Sequence, residues 1–574
     1  MKNQEIARIF FNIASLLETE KTDFRTIAYK RAALSLESLD ESVEEVYLNK
    51  GIKGLEEISG IGKGLSLKIE EYLKNGKIKE YEKLKKKLPV DIEEIIKVEG
   101  MGVKKAKVLY QKLGIKTIKD LEKAAKSRKI APLFGFGEKT EKNILQGIEF
   151  LKIDKDRSLL GFIMPEVRKI ILKLENLKEV KKISIAGSAR RMKETIGDID
   201  ILIASDNPEK VNDFFVSLPG IKKVWAKGPT KSSVHLEEGF DVDLRIVKEE
   251  SFGSALQYFT GSKEHNIATR KIAIRKGLKL NEYGVFRGRK KIAGQTEKDV
   301  YDAIGLSYIE PEMREDDGEV QLSLENKLPK IIGYKDIRGD LHCHSNWDGG
   351  KNSIEEMADF AMKMGYEYIG ISDHTKFLKI ENGLDEKQIL KQHEAIKKIN
   401  KKFQDSGFKF QVLHGCEANI MPDGSIDIKD EILEKLDYVI AGVHSSMKMP
   451  RNEMTERIIK SIKNPNIDII SHPTGRLIQK RDEYHIDLEK ILKTAKETGT
   501  ILEINSWPER LDLRDAYIRM AKKIGVKMII NTDSHEKSQM QLMEFGISQA
   551  RRGWAEPDDI INTLPVEKLL KYFK

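Results

Sequence analysis

Along the first 150 positions apolar residues recur at three- and four-residue spacing, which predicts helices over 6–17, 24–36 and 43–50. In LEEISGIGKGLSLKIEEYL, Ile58, Ile61, Leu65 and Ile69 keep that spacing on both sides of the turn Gly60-Ile61-Gly62, the pattern of a helix-hairpin-helix. From about 152 the pattern changes. Residues 183–203, ISIAGSARRMKETIGDIDILI, read as strand, turn, short helix and strand, the last strand alternating polar and apolar. Beyond 339 one unit recurs: an apolar run of strand length, a polar residue at its end, a loop and an amphipathic helix. The strands are DLHCHS, YIGISDH, FQVLHGCEANI, YVIAGVHSS, IDIISHPTG, ILEINS and KMIINTDSH. Seven strand-helix units in succession predict a distorted, seven-stranded TIM-like (β/α) barrel, with chemistry at the C-terminal strand ends. Residues 306–338 lose periodicity, run acidic and contain Pro311 and Pro329, so a partly ordered linker is expected. The chain is thus multidomain, α+β followed by α/β.

The alternation in GDIDILI puts Asp198 and Asp200 on one face and Ile199, Ile201 and Ile203 on the other, toward a core. Two carboxylates sharing a small volume require a cation, and oxygen-only ligands suit Mg²⁺, which completes its shell with water and substrate phosphates. Upstream, Gly187 and Ser188 close a strand. A helix opening there aims backbone N–H groups at an anion, with Arg190 and Arg191 alongside. GFDVDLRIV supplies a third carboxylate, Asp243, with Asp241 the less favoured ligand. A lone Asp-x-Asp is usually a solvated strand face; the glycine turn and the second aspartate strand together describe in-line nucleotidyl transfer.

The glycine turn of the N-terminal region recurs as Gly100 and Gly102 in VEGMGVKKAKVLYQKL and as Gly135 and Gly137 in FGFGEKTEKNIL. One such turn is ordinary, but three in series bring backbone N–H groups and helix N-termini to a phosphate backbone, contacts that read no base sequence and weaken with salt. Charge follows this division. Residues 1–310 carry 60 Lys and Arg against 47 Asp and Glu, whereas residues 311–574 carry 41 against 45, so the first half is the polyanion-binding half. Nine of the eleven histidines lie in the second half. Six of them, His342, His344, His374, His444, His472 and His535, close a strand or its loop, and with Glu417 and Asp533 they mark one metal-bearing rim. Two cysteines among 574 residues exclude a disulfide framework and point to a reducing compartment. The first 18 residues interrupt their apolar positions with polar ones, so neither a secretory segment nor a membrane span is expected, and the cytoplasm is the expected location.

The aspartate constellation resembles the palm of the family X DNA polymerases, the group that includes DNA polymerase beta. The resemblance implies that Asp198, Asp200 and Asp243 hold two Mg²⁺ ions, that Ser188 and Arg191 hold the triphosphate, and that Gly187 and Gly197 complete the nucleotide site. Tyr258, Phe259, Thr260 and Gly261 match the family's YFTG motif at the incoming sugar, and Asn266 and Arg270 match contacts to the base-pair minor groove and template. Lys263 departs from the acidic residue of DNA polymerase beta. Taken alone, this stretch reads as an aromatic-rich core strand leading into a basic helix. The N-terminal piece looks like the same family's lyase domain, with Lys68 as the Schiff-base lysine, Tyr29 matching, and Arg25 at a phosphate-binding position.

The histidine rim resembles the polymerase and histidinol phosphatase (PHP) domain, whose ligands map onto His342, His344, Glu417 and Asp533 for one metal, Glu417, His444 and His472 for a second, and Asp348, His374 and His535 for a third. HSNWDGG is one residue shorter than the usual spacing to the Asp-Gly. Mixed imidazole and carboxylate ligands suit Mn²⁺ or Zn²⁺, up to three ions, for phosphoester hydrolysis. Arg476 and Arg510 are further phosphate-clamp candidates; His393, His414 and His485 are not expected to be ligands. The implied domains are a lyase-like helical domain (1–85), two further helix-hairpin-helix turns (86–151), a nucleotidyltransferase palm (152–250), a nucleotide-binding subdomain (251–305), the linker (306–338) and a PHP phosphoesterase (339–574). The implied function is a monomeric, gap-filling, template-directed DNA polymerase of base excision repair, acting on gapped or nicked DNA with dNTP. The barrel would add 3′–5′ exonuclease, abasic-site endonuclease or 3′-phosphatase action. A template-independent terminal transferase and a non-catalytic break-bridging scaffold are the alternatives.

Overall fold

The computed structural model describes residues 2–17, 23–37, 39, 42–58, 60–87, 90, 92–95, 98, 101–152 and 157–573, which divide into two compact units, 1–156 with 212–241 and 157–211 with 242–574. The palm expected over 152–250 is therefore shared between the two. Among the described residues no helix is long and apolar enough to cross a membrane.

In the first unit, helices Lys2–Leu17, Asp23–Glu37, Val43–Glu56 and Lys63–Asn75 bury Phe10, Ile13, Leu36, Leu55 and Ile69 in one core, as the apolar spacing requires. The turn between the last two helices depends on Gly60. Its φ is +85°, and a Cβ there would lie 3.1 Å from Ser35 Oγ, so a side chain would be both strained and crowded. Gly62 and Gly102 are the N-caps of helices Lys63–Asn75 and Val103–Leu113 and carry no side chain, so the first-turn N–H groups point outward unsatisfied by a cap. Gly135 and Gly137 take φ values of +85° and +97° before helix Glu138–Lys152. Gly100 lies outside the described residues. The same unit contains the antiparallel strands Ile221–Lys227 and Lys231–Leu236.

The second unit opens with strand Lys182–Ile185 antiparallel to Asp198–Ala204, Ile183 facing Ile203 and Ile185 facing Ile201. Strand Asp241–Val247 lies next to Asp198–Ala204 in the sheet order. Residues 252–260 form a helix, Phe252–Thr260, rather than a core strand: packed Phe252, Ala255 and Leu256 set its buried face at helical spacing. Helix Lys263–Arg275, a three-stranded antiparallel sheet and helix Glu297–Ala303 complete this subdomain. Residues 306–338 are not an open linker. They hold a turn of 3₁₀-helix, Pro311–Met313, and a helix, Glu319–Leu324, and bury Glu312, Arg314 and Glu319. Each of those charges meets an opposite charge or a hydrogen-bond partner inside the fold, as with Arg314 and Glu297 at 2.6 Å or Glu312 and Arg551 at 2.8 Å, which is why an acidic, aperiodic stretch can pack.

The C-terminal strands are β1 (Gly339–Cys343), β2 (Tyr368–Ile371), β3 (Gln411–His414), β4 (Glu417–Asn419), β5 (Ile440–Gly442), β6 (Ile469–Ile470), β7 (Ile501–Asn505) and β8 (Met528–Asn531). All pair in parallel, as the repeated strand-helix unit predicts. Instead of one continuous ring they form two sheets, β1-β2-β3 and β4-β5-β6-β7-β8. The expected third strand is broken at Gly415-Cys416: β3 ends one sheet and β4 begins the other. Parallel bridges join His374 to Glu417 and Cys343 to Ser534, linking the sheets at both ends. At the break a Cβ on Gly415 would lie 2.4 Å from the Tyr438 ring, so the backbone there passes too close to the ring for a side chain. Cys343 and Cys416 are both buried and unpaired with each other.

Candidate active sites

Asp198 and Asp200 are half-buried, while Ile199, Ile201 and Ile203 are buried, so the strand presents both carboxylates on one face. Asp243 occupies the adjacent strand. Gly187 has φ of +63°, and a Cβ at that position would stand 2.2 Å from Asp200 Oδ2, so the turn brings bare backbone against the carboxylate. The Ala186 N–H donates to the Asp200 carbonyl at 2.8 Å, locking turn to strand. An all-oxygen donor set beside a glycine cradle fits Mg²⁺ with a phosphate ligand. Asp241 is engaged elsewhere: it accepts from Trp225 Nε1 at 2.9 Å and lies 2.8 Å from His235 Nδ1.

The two arginines of the loop have distinct partners. Arg190 donates two hydrogen bonds to the Glu297 carboxylate, at 2.8 and 2.5 Å, and one to Thr260 Oγ1 at 2.6 Å. Arg191 donates to Glu315 at 3.0 Å and to the Thr260 carbonyl at 2.5 Å. The YFTG segment is thereby tied to the loop that carries Arg190 and Arg191. Tyr258 and Phe259 pack edge to face at 5.1 Å, and Arg270 lies over the Tyr258 ring at 5.8 Å. Asn266, expected at the minor groove, here accepts from Gln257 at 2.8 Å and donates to the Tyr258 carbonyl at 2.7 Å.

In the first unit Lys68, on helix Lys63–Asn75, and Tyr29 and Arg25, both on helix Asp23–Glu37, all meet the Glu80 carboxylate. Lys68 and Arg25 form ion pairs with it, and the Tyr29 hydroxyl donates at 2.7 Å. Burial works to raise the Glu80 carboxyl, but Lys68, Tyr29 and Arg25 outweigh it and hold the group below its usual range. Sequence reasoning missed Glu80, which carries no motif of its own.

The rim histidines converge as expected. His342 Nε2 lies 3.3 Å from Glu417 Oε2 and 3.5 Å from Asp533 Oδ1; His344 Nε2 lies 3.4 Å from Asp533 Oδ1. On the other side Glu417 Oε1 is 3.4 Å from His444 Nε2 and 3.1 Å from His472 Nε2, and Glu417 Oε2 is 2.9 Å from His374 Nδ1. The potential ligand atoms of His342, His344 and Asp533, of His374, Glu417 and His444, of His344, His374 and His535, and of His344, Asp348 and Asp373 fall in four groups, each within 4.8 Å. His342 Nε2, His344 Nε2, His374 Nδ1, Glu417 Oε2 and His472 Nδ1 are buried and make no hydrogen bond. Orphaned polar atoms pointing at one another are costly, and four of them, all but His472 Nδ1, belong to these groups, so the set fits divalent metal ions of imidazole and carboxylate preference.

Asp348 is placed differently from its expected role with His374 and His535. Its Oδ2 accepts from His344 Nδ1 and from the His374 backbone N–H, both at 2.9 Å, and its Oδ1 from the Gly350 N–H. The short HSNWDGG loop brings the carboxylate onto His344 Nδ1, leaving Nε2 toward Asp533. Burial opposes charge on His344, yet Asp348 lifts that ring to about 10. Burial likewise works to raise Glu417, but His342, His444 and His374 hold it well below its ordinary value. Burial drives His472 and His535 each down to about 4, toward the neutral form that binds metal.

Two orienting groups escaped the sequence reading. Glu503, on β7, lies 2.7 Å from His342 Nδ1 and accepts from the His472 N–H at 2.8 Å, and Asn419 Oδ1 lies 2.8 Å from His444 Nδ1. A polar residue inside the apolar run ILEIN is the signal that could have found Glu503. Arg510 lies 3.5 Å from Asp533 Oδ2, at the centre's edge, whereas Arg476 is turned away to Glu194 at 2.6 Å. His393 and His414 face each other at 2.9 Å, outside the groups.

Comparison with known proteins finds four family matches along the chain. Residues 1–78 match the helix-hairpin-helix domain, 92–149 the SAM-like helix-hairpin-helix tandem, 255–315 the DNA polymerase beta thumb and 340–507 the PHP domain. A Bacillus subtilis (strain 168) protein named DNA polymerase/3'-5' exonuclease PolX is 37% identical over 580 residues, covering 100% of both chains. Shorter proteins described as probable phosphatases, from Thermoanaerobacter sp. (strain X514) and Caldicellulosiruptor saccharolyticus, are 30% and 33% identical over 41% of this chain and 94% and 95% of their own. A relative of that identity along the whole length, with thumb, helix-hairpin-helix and PHP regions in the same chain, places this protein among the family X DNA polymerases that carry a C-terminal PHP domain.

Proposed function

We propose that the chain fills short gaps in DNA by templated nucleotidyl transfer and trims 3′ ends by metal-dependent hydrolysis, as a monomer in the cytoplasm. The observation that carries both activities is the end-to-end match to a protein named for both, in a chain that keeps Asp198, Asp200, Asp243 and the six rim histidines. In the palm, Asp198, Asp200 and Asp243 would hold two Mg²⁺ ions. When bound, these ions neutralise the triphosphate and the charge that develops in the in-line displacement. Ser188, Arg191 and the bare backbone at Gly187 bind the phosphates, and Asp243 stands at the primer hydroxyl. Tyr258 and Phe259 border the sugar, Thr260 and Gly261 close that edge, and Asn266 and Arg270 are released to the nascent pair. The glycine turns at Gly60, Gly62, Gly102, Gly135 and Gly137 seat the duplex by its phosphates.

In the PHP half His342, His344, His374, Glu417, His444, His472, Asp533 and His535 would hold Mn²⁺ or Zn²⁺, with Asp348, Glu503 and Asn419 fixing the ring orientations. The metals supply Lewis acidity to a phosphodiester. Arg510 stands where a scissile phosphate would need a cation. 3′–5′ exonuclease action is the primary assignment, with abasic-site and 3′-phosphate cleavage as the same chemistry on other ends. Lys68 is the proposed Schiff-base nucleophile for a 5′-deoxyribose phosphate; it must part from Glu80 or pass its proton to it first.

One experiment separates these assignments. A labelled primer in a one-nucleotide gap is followed in Mg²⁺ and in Mn²⁺ with the parent, Asp198→Ala and His344→Ala, and borohydride trapping on a 5′-deoxyribose-phosphate end is run with Lys68→Ala. Extension is expected to vanish only in Asp198→Ala, shortening only in His344→Ala and trapping only in Lys68→Ala. Extension of an isolated single strand at the gap-filling rate would favour a terminal transferase instead. Binding of the gap without either reaction would leave a scaffold.

A further inference from the structure

The loop that carries Arg191 is held from the PHP half. Arg552, at the end of helix Met543–Arg552 and 3% exposed, donates to the Arg191 backbone carbonyl at 3.1 Å and to Glu315 at 3.2 Å, while its other arm reaches Asp515 at 2.5 Å. Glu315 is the same carboxylate that receives the Arg191 side chain at 3.0 Å. Three residues on, Glu194 accepts from Arg476 at 2.6 and 3.3 Å and from Gln549 at 2.7 Å. Arg476 and Gln549 are buried.

The loop's own secondary structure is short. Its helix, Gly187–Arg190, is four residues long, and the strand that follows, Thr195–Ile196, has two. A long, flexible guanidinium aimed at a triphosphate loses rotamer entropy on binding unless it is already fixed. Here both ends of 191–194 are pinned by buried, charge-assisted hydrogen bonds from one helix and one loop of the PHP half. None of the donors, Arg552, Arg476 and Gln549, is a residue assigned to the triphosphate or to the metal centre, so neither chemistry explains their presence.

We infer that the PHP half is a working part of the polymerase site, and that Arg552 is a positioning residue that fixes Arg191, through Glu315 and the loop backbone, for the triphosphate of the incoming nucleotide. This rests on Arg191 being a triphosphate contact. Charge pairing explains why a glutamate stands between two arginines. Glu315 binds both and sets their spacing, so that Arg552 acts on Arg191 without meeting the nucleotide.

The test is steady-state filling of a one-nucleotide gap by the full-length chain over a range of dNTP concentrations, with Arg191→Ala, Arg552→Gln, Arg552→Lys and Glu194→Gln. Mn²⁺-dependent shortening of a separate primer is measured for each. Arg552→Gln is expected to raise the KM for dNTP about tenfold with kcat within about twofold, the pattern of lost binding rather than lost chemistry. Arg552→Lys, which keeps the charge, restores part of the affinity. Glu194→Gln shifts KM in the same direction and carries the test if Arg552→Gln does not fold. Shortening is unchanged throughout. If Arg191→Ala raises KM while Arg552→Gln and Glu194→Gln leave it unaltered, the inference is wrong. Parallel loss of filling and shortening in Arg552→Gln and Glu194→Gln also overturns it, by reducing Arg552 to a folding role. If Arg191→Ala itself leaves KM unchanged, the reading of Arg191 falls first, and the inference falls with it.

Discussion

Gly187→Ala isolates the palm geometry from everything else in the chain. The residue sits at φ of +63°, where an alanine costs roughly 1–2 kcal/mol of backbone strain. The added Cβ would stand 2.2 Å from Asp200 Oδ2 and 3.2 Å from its Cγ, and contacts below 3.0 Å are not sustained. Relief therefore requires the carboxylate to move by about 1 Å, or the loop to retreat by as much and take Ser188 with it. A 1 Å misplacement in a site that works by alignment costs on the order of 10²-fold in rate. Single-turnover gap filling in Mg²⁺, with the chain saturating the DNA, is expected to slow by that factor. Gapped-duplex affinity stays within about twofold, because the phosphate contacts belong to the glycine turns of residues 60–137. Shortening in Mn²⁺ persists, since no rim ligand touches the loop. Gap filling within threefold of the parent would refute the assignment of Asp200 as a ligand fixed by this close approach.

Two further outcomes follow from buried groups. Burial works to raise the Glu297 carboxyl, but Arg314 and Arg190 hold it at about 2, below the ordinary 4.5, so its contribution is complete above that ordinary value and is lost as pH falls toward 2. The shift corresponds to about 3 kcal/mol at neutral pH, to order of magnitude; amide protection factors, corrected for the intrinsic pH dependence of exchange, should fall in helices Lys263–Arg275 and Glu297–Ala303 across that window and should lose that fall in Glu297→Gln, whereas an unchanged profile would mean the pair does not hold the subdomain. Glu503→Gln keeps the shape of the side chain but weakens its hold on His342 Nδ1, and a titration of Mn²⁺ against the stripped chain should show affinity reduced about 10- to 100-fold, with gap filling untouched. Equal Mn²⁺ affinity would remove Glu503 from the centre.

Period and residue type made Asp198, Asp200 and the strand-end histidines legible, because both are local properties. Two-residue alternation alone places two carboxylates on one face, and a repeated strand-helix unit alone sends its strand ends to one rim. What stayed hidden depends on pairing across the chain. Asp348 has the residue type of a ligand, but only the folded loop shows that its carboxylate lies against His344 Nδ1. Glu80 has no motif, yet Lys68, Tyr29 and Arg25 all close on it. The clearest case is residues 306–338. Acidic residues without periodicity read as solvated, since an unpaired buried carboxylate is prohibitively costly. That inference assumes the partner is absent, and the partners of Glu312, Arg314 and Glu315 are Arg551, Glu297 and the Arg191–Arg552 pair, of which Arg551 and Arg552 lie more than 200 positions away. The stretch that looks most like a tether is therefore the one that joins the two halves electrostatically. A tether would let the PHP half be removed without consequence for nucleotide binding; an ion-paired joint makes the phosphate loop answer to it.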